Sequence, residues 1–176
     1  MLFYYATRDG QSRRVAERIA ARLRERGIAA AAEDLAAAAP SPAQLGGAPL
    51  LVLVAAIRYG RHLPEARRLL QTISALPSAP PLVFASVNLT ARKPGKDTAE
   101  GNAYLRKAIG RYRLRPVLAA AIAGRLDYAR YGWFDRQMIR FIMLLTGGPT
   151  DVRTRVEYTD WDAVDAFAAK VAEYGR

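Results

Sequence analysis

Short apolar segments alternate with amphipathic segments along most of the chain. The apolar segments predict five β-strands, at residues 2–6, 28–34, 50–55, 82–86 and 117–123. The amphipathic segments carry apolar residues at helical spacing and predict α-helices at residues 11–26, 64–74, 98–111 and 161–174. Strands that alternate with helices are typical of α/β proteins whose helices cover both faces of one sheet. The sequence therefore predicts a doubly wound, five-stranded parallel sheet.

Residues 124–155 interrupt this alternation, because they are too many for an ordinary connection and too apolar for a solvated loop. A helix over residues 133–145 would place five apolar side chains on one face: Phe134, Met138, Phe141, Ile142 and Leu145. Arg136 and Arg140 would lie on the opposite side, with Tyr131 and Trp133 near the start of the helix. We interpret the chain as a single domain, residues 1–176, with an insertion at about residues 124–155.

The apolar face of the inserted helix has two interpretations. The helix is too short to cross a bilayer, which needs ~20 apolar residues, but an amphipathic helix of this kind can lie in the membrane interface. Alternatively, the face packs on the rest of the domain or on a second copy of the chain in a homo-oligomer. The pattern alone leaves both open.

The composition limits the chemistry that the chain can carry. The absence of cysteine excludes disulfides, thiol nucleophiles and iron–sulfur clusters, and with a single histidine, His62, we predict no metal site. The formal net charge of +11 predicts an acidic partner, which could be nucleic acid, an anionic membrane surface or an anionic ligand. The N-terminal residues have no basic segment before the first apolar run, so we expect a cytoplasmic protein rather than a secreted one.

The turn after the first strand has the composition of a phosphate-binding loop. It offers hydroxyl groups, a glycine and the N–H groups at the start of a helix, through Thr7, Arg8, Asp9, Gly10, Gln11 and Ser12. It matches neither the P-loop nor the dinucleotide fingerprint. An ordinary turn, with Thr7 or Ser12 capping the helix, explains the same residues.

Two further loops follow the third and fourth strands, where ligands bind in doubly wound sheets. The first contains Ile57, Arg58, Tyr59 and Gly60, and the second contains Ser86, Val87, Asn88 and Leu89. A phosphate loop with two strand-end loops that can flank a planar ring is the arrangement that flavin mononucleotide (FMN) requires. Each loop alone is unspecific, but the three together predict an FMN site.

The order of motifs along the chain resembles one family, the flavodoxin-like, quinone-linked protoporphyrinogen IX dehydrogenases. The matching segments are residues 7–11, 57–60, 86–89, 91–94, 123–124, 128–133, 135–139, 147–151 and 158–161. They cover nearly the whole chain in order, and their combination is specific although no single motif is.

This resemblance implies a flavodoxin-like fold and non-covalent FMN, held at its phosphate by residues 7–12 and at its ring by the other two loops. It implies oxidation of protoporphyrinogen IX to protoporphyrin IX in haem biosynthesis, with electrons passed to a membrane quinone, menaquinone or ubiquinone. We therefore expect a cytoplasmic enzyme associated peripherally with the inner face of the cell membrane. The flavin would carry the redox chemistry, so no catalytic residue is assigned.

Several cations are candidates for binding substrate carboxylates or lipid phosphates. Arg58, Arg61, Arg92, Lys93 and Lys96 lie on loops that should converge at one edge of the sheet. His62 is a candidate proton acceptor by its position only, and a surface histidine without a role is the simpler interpretation. From the inserted segment we add Tyr131, Trp133, Arg136, Arg140, Phe141 and Ile142 as substrate or membrane residues.

Two other functions compete with this one. A flavodoxin-type electron carrier or an NAD(P)H:quinone reductase would use the same flavin site, but soluble carriers are typically acidic and the chain has no nicotinamide fingerprint. A basic nucleic-acid-binding module would explain the charge, but the aromatic residues are not interleaved with the basic ones as stacking platforms are. We therefore expect no nucleic-acid partner.

Overall fold

The computed structural model of the protein describes residues 1–128, 132–151 and 153–175. Its strands are β1 (Leu2–Ala6), β2 (Glu33–Asp34), β3 (Leu51–Arg58), β4 (Arg61–His62), β5 (Leu82–Asn88), β6 (Leu118–Ala123), β7 (Arg125–Asp127) and β8 (Arg155–Glu157). Its helices are α1 (Gln11–Arg24), α2 (Pro42–Gly46), α3 (Pro64–Ala75), α4 (Ala103–Arg111), α5 (Trp133–Thr146) and α6 (Trp161–Tyr174).

Five of these strands form one parallel sheet in the order β2-β1-β3-β5-β6. The order reverses between β1 and β3, so the carboxyl ends of these strands border the crevice in which doubly wound sheets bind ligands. The prediction of a doubly wound, five-stranded parallel sheet is confirmed. Among the described residues, no helix is long and apolar enough to cross a membrane.

The alternation of side chains along the central strands builds two cores. Val52 and Val54 of β3 point to one face of the sheet, where they pack with α1 and α6. Leu51 and Leu53 point to the other face, where they pack with α2, α3 and α4. Because β3 is covered on both sides, its continuous apolar sequence is the one expected of a buried parallel strand.

Two predicted elements differ from the observed ones at their starts. The strand predicted over residues 28–34 is limited to β2, because its first part consists mostly of alanines, which favour strands weakly, at an edge of the sheet. The helix predicted from residue 98 begins at Ala103, because the Asn102 side chain accepts hydrogen bonds from the N–H groups of Tyr104 and Leu105.

A tight hairpin follows β3, which continues three residues beyond its predicted end. Tyr59 and Gly60 have φ angles of 51° and 73°, the backbone of a two-residue type I′ turn, and β4 pairs antiparallel with β3 so that His62 lies opposite Ile57. A non-glycine residue rarely adopts a positive φ, so Tyr59 holds a strained position at the edge of the sheet.

The insertion after β6 contains a second small sheet and one helix. Strands β7 and β8 pair antiparallel and flank α5 in the sequence. Met143 of α5 is fully buried with Leu126 and Tyr128, whereas Phe134 and Phe141 are 64% and 60% exposed. Met143 lies on the opposite side of the helix from the predicted apolar face and anchors the helix, whereas Phe134 and Phe141 of that face are exposed.

Candidate functional site

The three predicted loops meet in one cavity at the carboxyl ends of β1, β3 and β5. The predicted cofactor residues that line it are Thr7, Asp9, Gln11, Ser12, Ile57, Arg58, Tyr59, Gly60, Val87, Asn88 and Leu89. Three others do not line it: Arg8 is exposed, Gly10 shapes the turn, and Ser86 is buried beneath it. The topology thus brings together residues that are distant in the sequence.

The turn after β1 leaves the start of α1 open to an anion. The Gly10 N–H donates to Thr7 Oγ1 at 3.0 Å, and Gly10 adopts a left-handed φ of 85° as the residue before the helix. No side chain of the described residues caps α1, so the N–H groups of its first turn lack intrahelical partners. The interpretation of Ser12 as a capping residue is therefore wrong, and Thr7 stabilises the turn instead.

Ser12 supplies the clearest sign that this loop is built around a ligand. The residue is only 1% exposed, and its Oγ has no hydrogen-bond partner among the described residues. A buried hydroxyl without a partner is unfavourable, and native structures satisfy nearly all such groups. A phosphate oxygen over the start of α1 would satisfy it, so the loop fits the phosphate group of a flavin nucleotide.

An ion pair connects the first two loops. The Arg58 guanidinium donates to Asp9 Oδ2 at 3.1 Å, and it also lies over the Tyr59 ring, 5.4 Å from the ring centre. Tyr59 is 56% exposed at the mouth of the cavity. The strained hairpin turn therefore presents an aromatic ring beside the opening, as a planar ligand would require.

A buried polar network supports the third loop from below. His62 Nε2 lies 3.0 Å from Ser86 Oγ, and Asn88 Nδ2 donates to the same oxygen at 3.2 Å. The Asn88 Oδ1 in turn accepts from Asn102 Nδ2 and from the Ala91 N–H, each at 3.1 Å. Ser86 can satisfy both neighbours by accepting from Asn88 and donating to His62, which places the imidazole proton on Nδ1.

This network corrects the interpretation of His62 as a surface residue. The side chain is 5% exposed and packs against Phe84, with 5.1 Å between the ring centres. Burial lowers the pKa of His62 to about 4, so the imidazole is neutral at physiological pH. The hairpin places it there, because the antiparallel pairing with β3 turns position 62 inward.

The insertion is tied to the phosphate loop by side-chain hydrogen bonds. Gln11 Nε2 donates to Glu157 Oε1 and to Thr159 Oγ1, and Thr159 donates to the Ala123 carbonyl at 2.7 Å. Burial opposes the ionisation of Glu157, but hydrogen bonds from Arg14 and Gln11 outweigh it and lower the pKa of the carboxyl. Glu157 therefore remains charged and holds β8 against the start of α1.

Helix α5 forms a wall of the cavity. Met138, Ile139 and Ile142 line it, whereas Trp133, Phe134 and Leu144 are exposed and do not line it. Of the other residues predicted for substrate or membrane, Phe141 is exposed, Arg136 is half-buried, and Arg140 donates to the Thr150 carbonyl at 3.1 Å. Tyr131 lies outside the described residues.

The cations that were predicted to converge are distributed over three places. Arg58 lies in the cavity, whereas Arg61 lines a neighbouring cavity beside α4. Arg92 and Lys93 line a groove along the edge strand β6, where Arg92 also lies over the Tyr158 ring. The prediction of one cluster is therefore wrong, because the 3₁₀ turn at Leu89–Arg92 carries the end of that loop away from the cavity.

Seven cavity residues were not among the predicted site residues: Ala56, Thr90, Tyr104, Gly124, Arg125, Met138 and Ile139. Tyr104 comes from the first turn of α4 and Thr90 from the 3₁₀ turn, and neither position carries a recognisable signal. Arg125 directly follows the end of β6, so the rule that ligands bind at strand ends could have identified it. Met138 was assigned to an apolar face, and only the packing of α5 shows that it borders the cavity.

Comparisons with known proteins agree with this geometry. A family model described as a flavodoxin domain matches residues 2–153. The chain is 40% identical over 171 residues to an Escherichia coli K12 protein named protoporphyrinogen IX dehydrogenase (quinone), covering 97% of this chain and 93% of that one. A Leishmania major protein of the same name is 46% identical over 127 residues, which cover 69% of this chain and 53% of that one.

Solved structures show the same fold at low sequence identity. Oxidised flavodoxin 1 from Bacillus cereus matches with a TM-score of 0.59 and 14% identity, covering 98% of this chain and 96% of that one. A flavodoxin from an archaeon matches with a TM-score of 0.52 and 12% identity, covering 98% and 97%. A flavodoxin domain implies a flavin cofactor. The chain belongs to the flavodoxin-like protoporphyrinogen IX dehydrogenase (quinone) family.

Proposed function

We propose that this protein oxidises protoporphyrinogen IX to protoporphyrin IX with bound FMN and passes the electrons to a respiratory quinone. The name of relatives that match over nearly the whole chain supports the reaction. The observation that carries the proposal is the cavity at the carboxyl ends of β1, β3 and β5, in which the buried Ser12 hydroxyl lacks a partner among the described residues.

The residues of the cavity suit the parts of FMN. The N–H groups at the start of α1 and the Ser12 hydroxyl would hold the phosphate, and Tyr59 and Asn88 would flank the ring from opposite loops. When bound, FMN supplies the capacity to accept two electrons at a time from the substrate. The protein's contribution is to bind and orient both molecules.

Helix α5 would complete the site by excluding water. Its apolar residues Met138, Ile139 and Ile142 border the cavity, where they would lie against the apolar macrocycle of the substrate. Apolar walls of this kind raise the strength of the few polar contacts inside a site. The ion pair between Arg58 and Asp9 holds two charged groups at the mouth in a fixed arrangement.

The outer face of α5 supports association with a membrane, where the quinone is dissolved. Trp133, Phe134, Phe141 and Leu144 are each at least 60% exposed, an unusual apolar surface for a water-soluble protein. A helix with such a face lies in the membrane interface with its apolar residues among the acyl chains. The net charge of +11 would add attraction to anionic lipids.

The decisive experiment is an anaerobic assay of the purified protein with protoporphyrinogen IX and a menaquinone analogue. We expect porphyrin fluorescence to rise over many turnovers only when quinone is added, because each porphyrinogen gives up three electron pairs and one FMN holds a single pair at a time. A protein that carries flavin but leaves protoporphyrinogen unchanged would support the electron-carrier alternative instead. A protein that purifies without flavin absorbance and does not bind added FMN would refute both.

A second experiment tests the membrane contact. Phe134→Ser with Phe141→Ser should abolish flotation with phosphatidylglycerol vesicles and lower activity with a vesicle-embedded quinone, because the apolar surface is lost. Flavin content should remain that of the wild type, since neither side chain lines the cavity. Glu173→Ser with Tyr174→Ser, exposed residues at the end of α6, serves as the control. Unchanged flotation would contradict the membrane contact.

A further inference from the structure

A second cavity opens beside the rim of the proposed flavin site, between β4, α3 and α4. Ile57, Gly60 and Tyr104 line both cavities, so the two are immediate neighbours. The second cavity leads into an open groove that runs between α3 and α4 and is bordered by Arg67, Arg68, Arg111 and Tyr112. We define the α3–α4 groove by its five cations, Arg61, Arg67, Arg68, Lys107 and Arg111.

The cations of the α3–α4 groove lack internal counter-charges. Strand β4 and helices α3 and α4 together carry six arginines and lysines but only one carboxylate, Glu65. No carboxylate of the described residues lines the groove, and none of its five cations forms an ion pair with any described residue. Arg67 Nε is buried and has no hydrogen-bond partner within the described chain.

Arg61, Arg68, Lys107 and Arg111 are exposed and hydrated, and an anion from outside the chain would relieve the repulsion among them. Lys107 and Arg111 are four residues apart on α4, where like charges repel. A guanidinium presents a planar fork of donors that matches a carboxylate, and Arg67 already has one donor buried and unused. The groove therefore has the chemistry of a carboxylate site, and it opens directly beside the proposed ring site.

We propose that the α3–α4 groove binds the propionate carboxylates of the porphyrinogen substrate. This inference rests on the proposed function and adds to it the part of the protein that recognises the acidic side of the macrocycle. With its carboxylates in the groove, the macrocycle would extend past Tyr104 toward the ring site, since Tyr104 belongs to both cavities. The apolar edge of the substrate would then face Met138, Ile139 and Ile142 of α5.

The test compares a diacid with its ester. Protoporphyrin IX, the stable coloured product, and protoporphyrin IX dimethyl ester are titrated into the FMN-loaded protein in a mild detergent, and dissociation constants are read from porphyrin fluorescence. The test variant is Arg61→Gln with Lys107→Gln. The control is Arg106→Gln with Arg115→Gln, which removes the same charge from exposed residues that line neither cavity.

We expect the wild type and the control to bind the diacid roughly tenfold more tightly than the ester, because charge-assisted hydrogen bonds are lost with esterification. The test variant should bind diacid and ester equally, while its flavin content stays unchanged. Arg111→Gln alone should show a smaller loss of preference and provides a readout if the double variant is unstable.

Two results would overturn the inference: a test variant that retains the preference for the diacid, or a control that loses it equally. If the test variant retains the preference and loses flotation with phosphatidylglycerol vesicles, the cations are assigned to lipid headgroups instead. The activity assay of the wild type separates the two proposals, since an inactive wild type refutes the proposed function, whereas an active one with an unselective groove refutes only this inference.

Discussion

The two faces of the sheet carry equal numbers of arginines and use them differently. Helices α1 and α6 have five, and β4 with α3 and α4 has five. On the α1–α6 face, four arginines pair with carboxylates, and Asp165 alone accepts from both Arg18 and Arg22 at 2.7 Å. On the α3–α4 face, none of the groove cations has such a partner among the described residues.

This difference shows that net charge is a poor description of what the charges do. Charges that are paired inside the chain hold helices together and are largely neutral toward ligands. Charges without internal partners keep their full attraction for an external anion. Strand β4 with α3 and α4 carries six cations and one carboxylate, a net of +5, so this face beside the proposed flavin site supplies nearly half of the net charge of +11.

The largest expected effect concerns His62, which is buried on the α3–α4 side. Its pKa of about 4 in the folded protein lies below the ordinary 6.5, so the unfolded state binds a proton first as the pH falls. Stability should therefore decrease between pH 6.5 and 4, by about 3 kcal/mol from this group alone. His62→Gln removes the titration while keeping an acceptor for the Ser86 hydroxyl.

Urea unfolding of the wild type and His62→Gln at several pH values measures this difference. The gap between the two free energies of unfolding should change by about 3 kcal/mol from pH 7 to pH 4, in favour of the variant. Parallel pH profiles would mean that His62 is accessible to protons in the folded protein. Other groups that titrate near pH 4 affect both proteins and cancel in the comparison.

The next largest effect is expected when the charge of Asp165, at the centre of the α1–α6 face, is reversed. Asp165→Lys would bring a third cation against Arg18 and Arg22, and we expect the Tm to fall by roughly 6 °C. Glu173→Lys, on the same helix but exposed and without an ion pair in the described chain, should change the Tm by less than about 2 °C. Equal decreases would show that the overall charge, not the pairing, determines stability.

A milder change at the same position gives a pH test. The hydrogen bonds from Arg18 and Arg22 hold the pKa of Asp165 well below its ordinary range. Because the folded pKa is lowered, the stabilisation is complete above the unfolded pKa of about 4 and is lost as the pH falls further. Asp165→Asn should lower the Tm by roughly 3 °C at pH 7 and by progressively less below pH 4. A constant difference at all pH values would contradict the ion pairs.

The smallest effect is expected on the α3–α4 face, where removing charges should raise the Tm instead of lowering it. Arg67→Gln with Arg111→Gln removes two groove cations, so the Tm should rise by roughly 1 °C in low salt as repulsion is relieved. The gain should disappear at about 1 M salt, where screening acts over ~3 Å. A clear loss of stability in low salt would mean that these arginines stabilise the fold through partners of their own.

The sequence was sufficient for the parts of the fold that depend on local patterns. Residues 50–55 form an uninterrupted apolar segment, as expected of a strand that is buried on both faces. The predicted strand agrees with β3 to within three residues at either end. The three loops of the cavity followed from the rule that ligands bind at strand ends, and eleven of the fourteen predicted cofactor residues line it. That these residues bind FMN remains a prediction.

The features that were missed depend on contacts between distant residues. His62 is buried because a two-residue turn folds it back onto β3, and a single polar residue gives no sign of that pairing. The pairing of β7 with β8 joins positions on either side of α5, which local periodicity cannot detect. Met143 packs against Leu126 of this small sheet, so the pattern of α5 alone could not show that its Met143 side is the buried one.

The small sheet of β7 and β8 bears on how proteins of this family can vary in sequence and length. Arg125 lies opposite Glu157, so the chain leaves the large sheet and returns to it at neighbouring points. A segment with such closely spaced ends can be lengthened, shortened or exchanged while the strands and helices around it stay in place. The region for which we propose contact with substrate and membrane can therefore vary without redesign of the strands and loops that line the proposed flavin site.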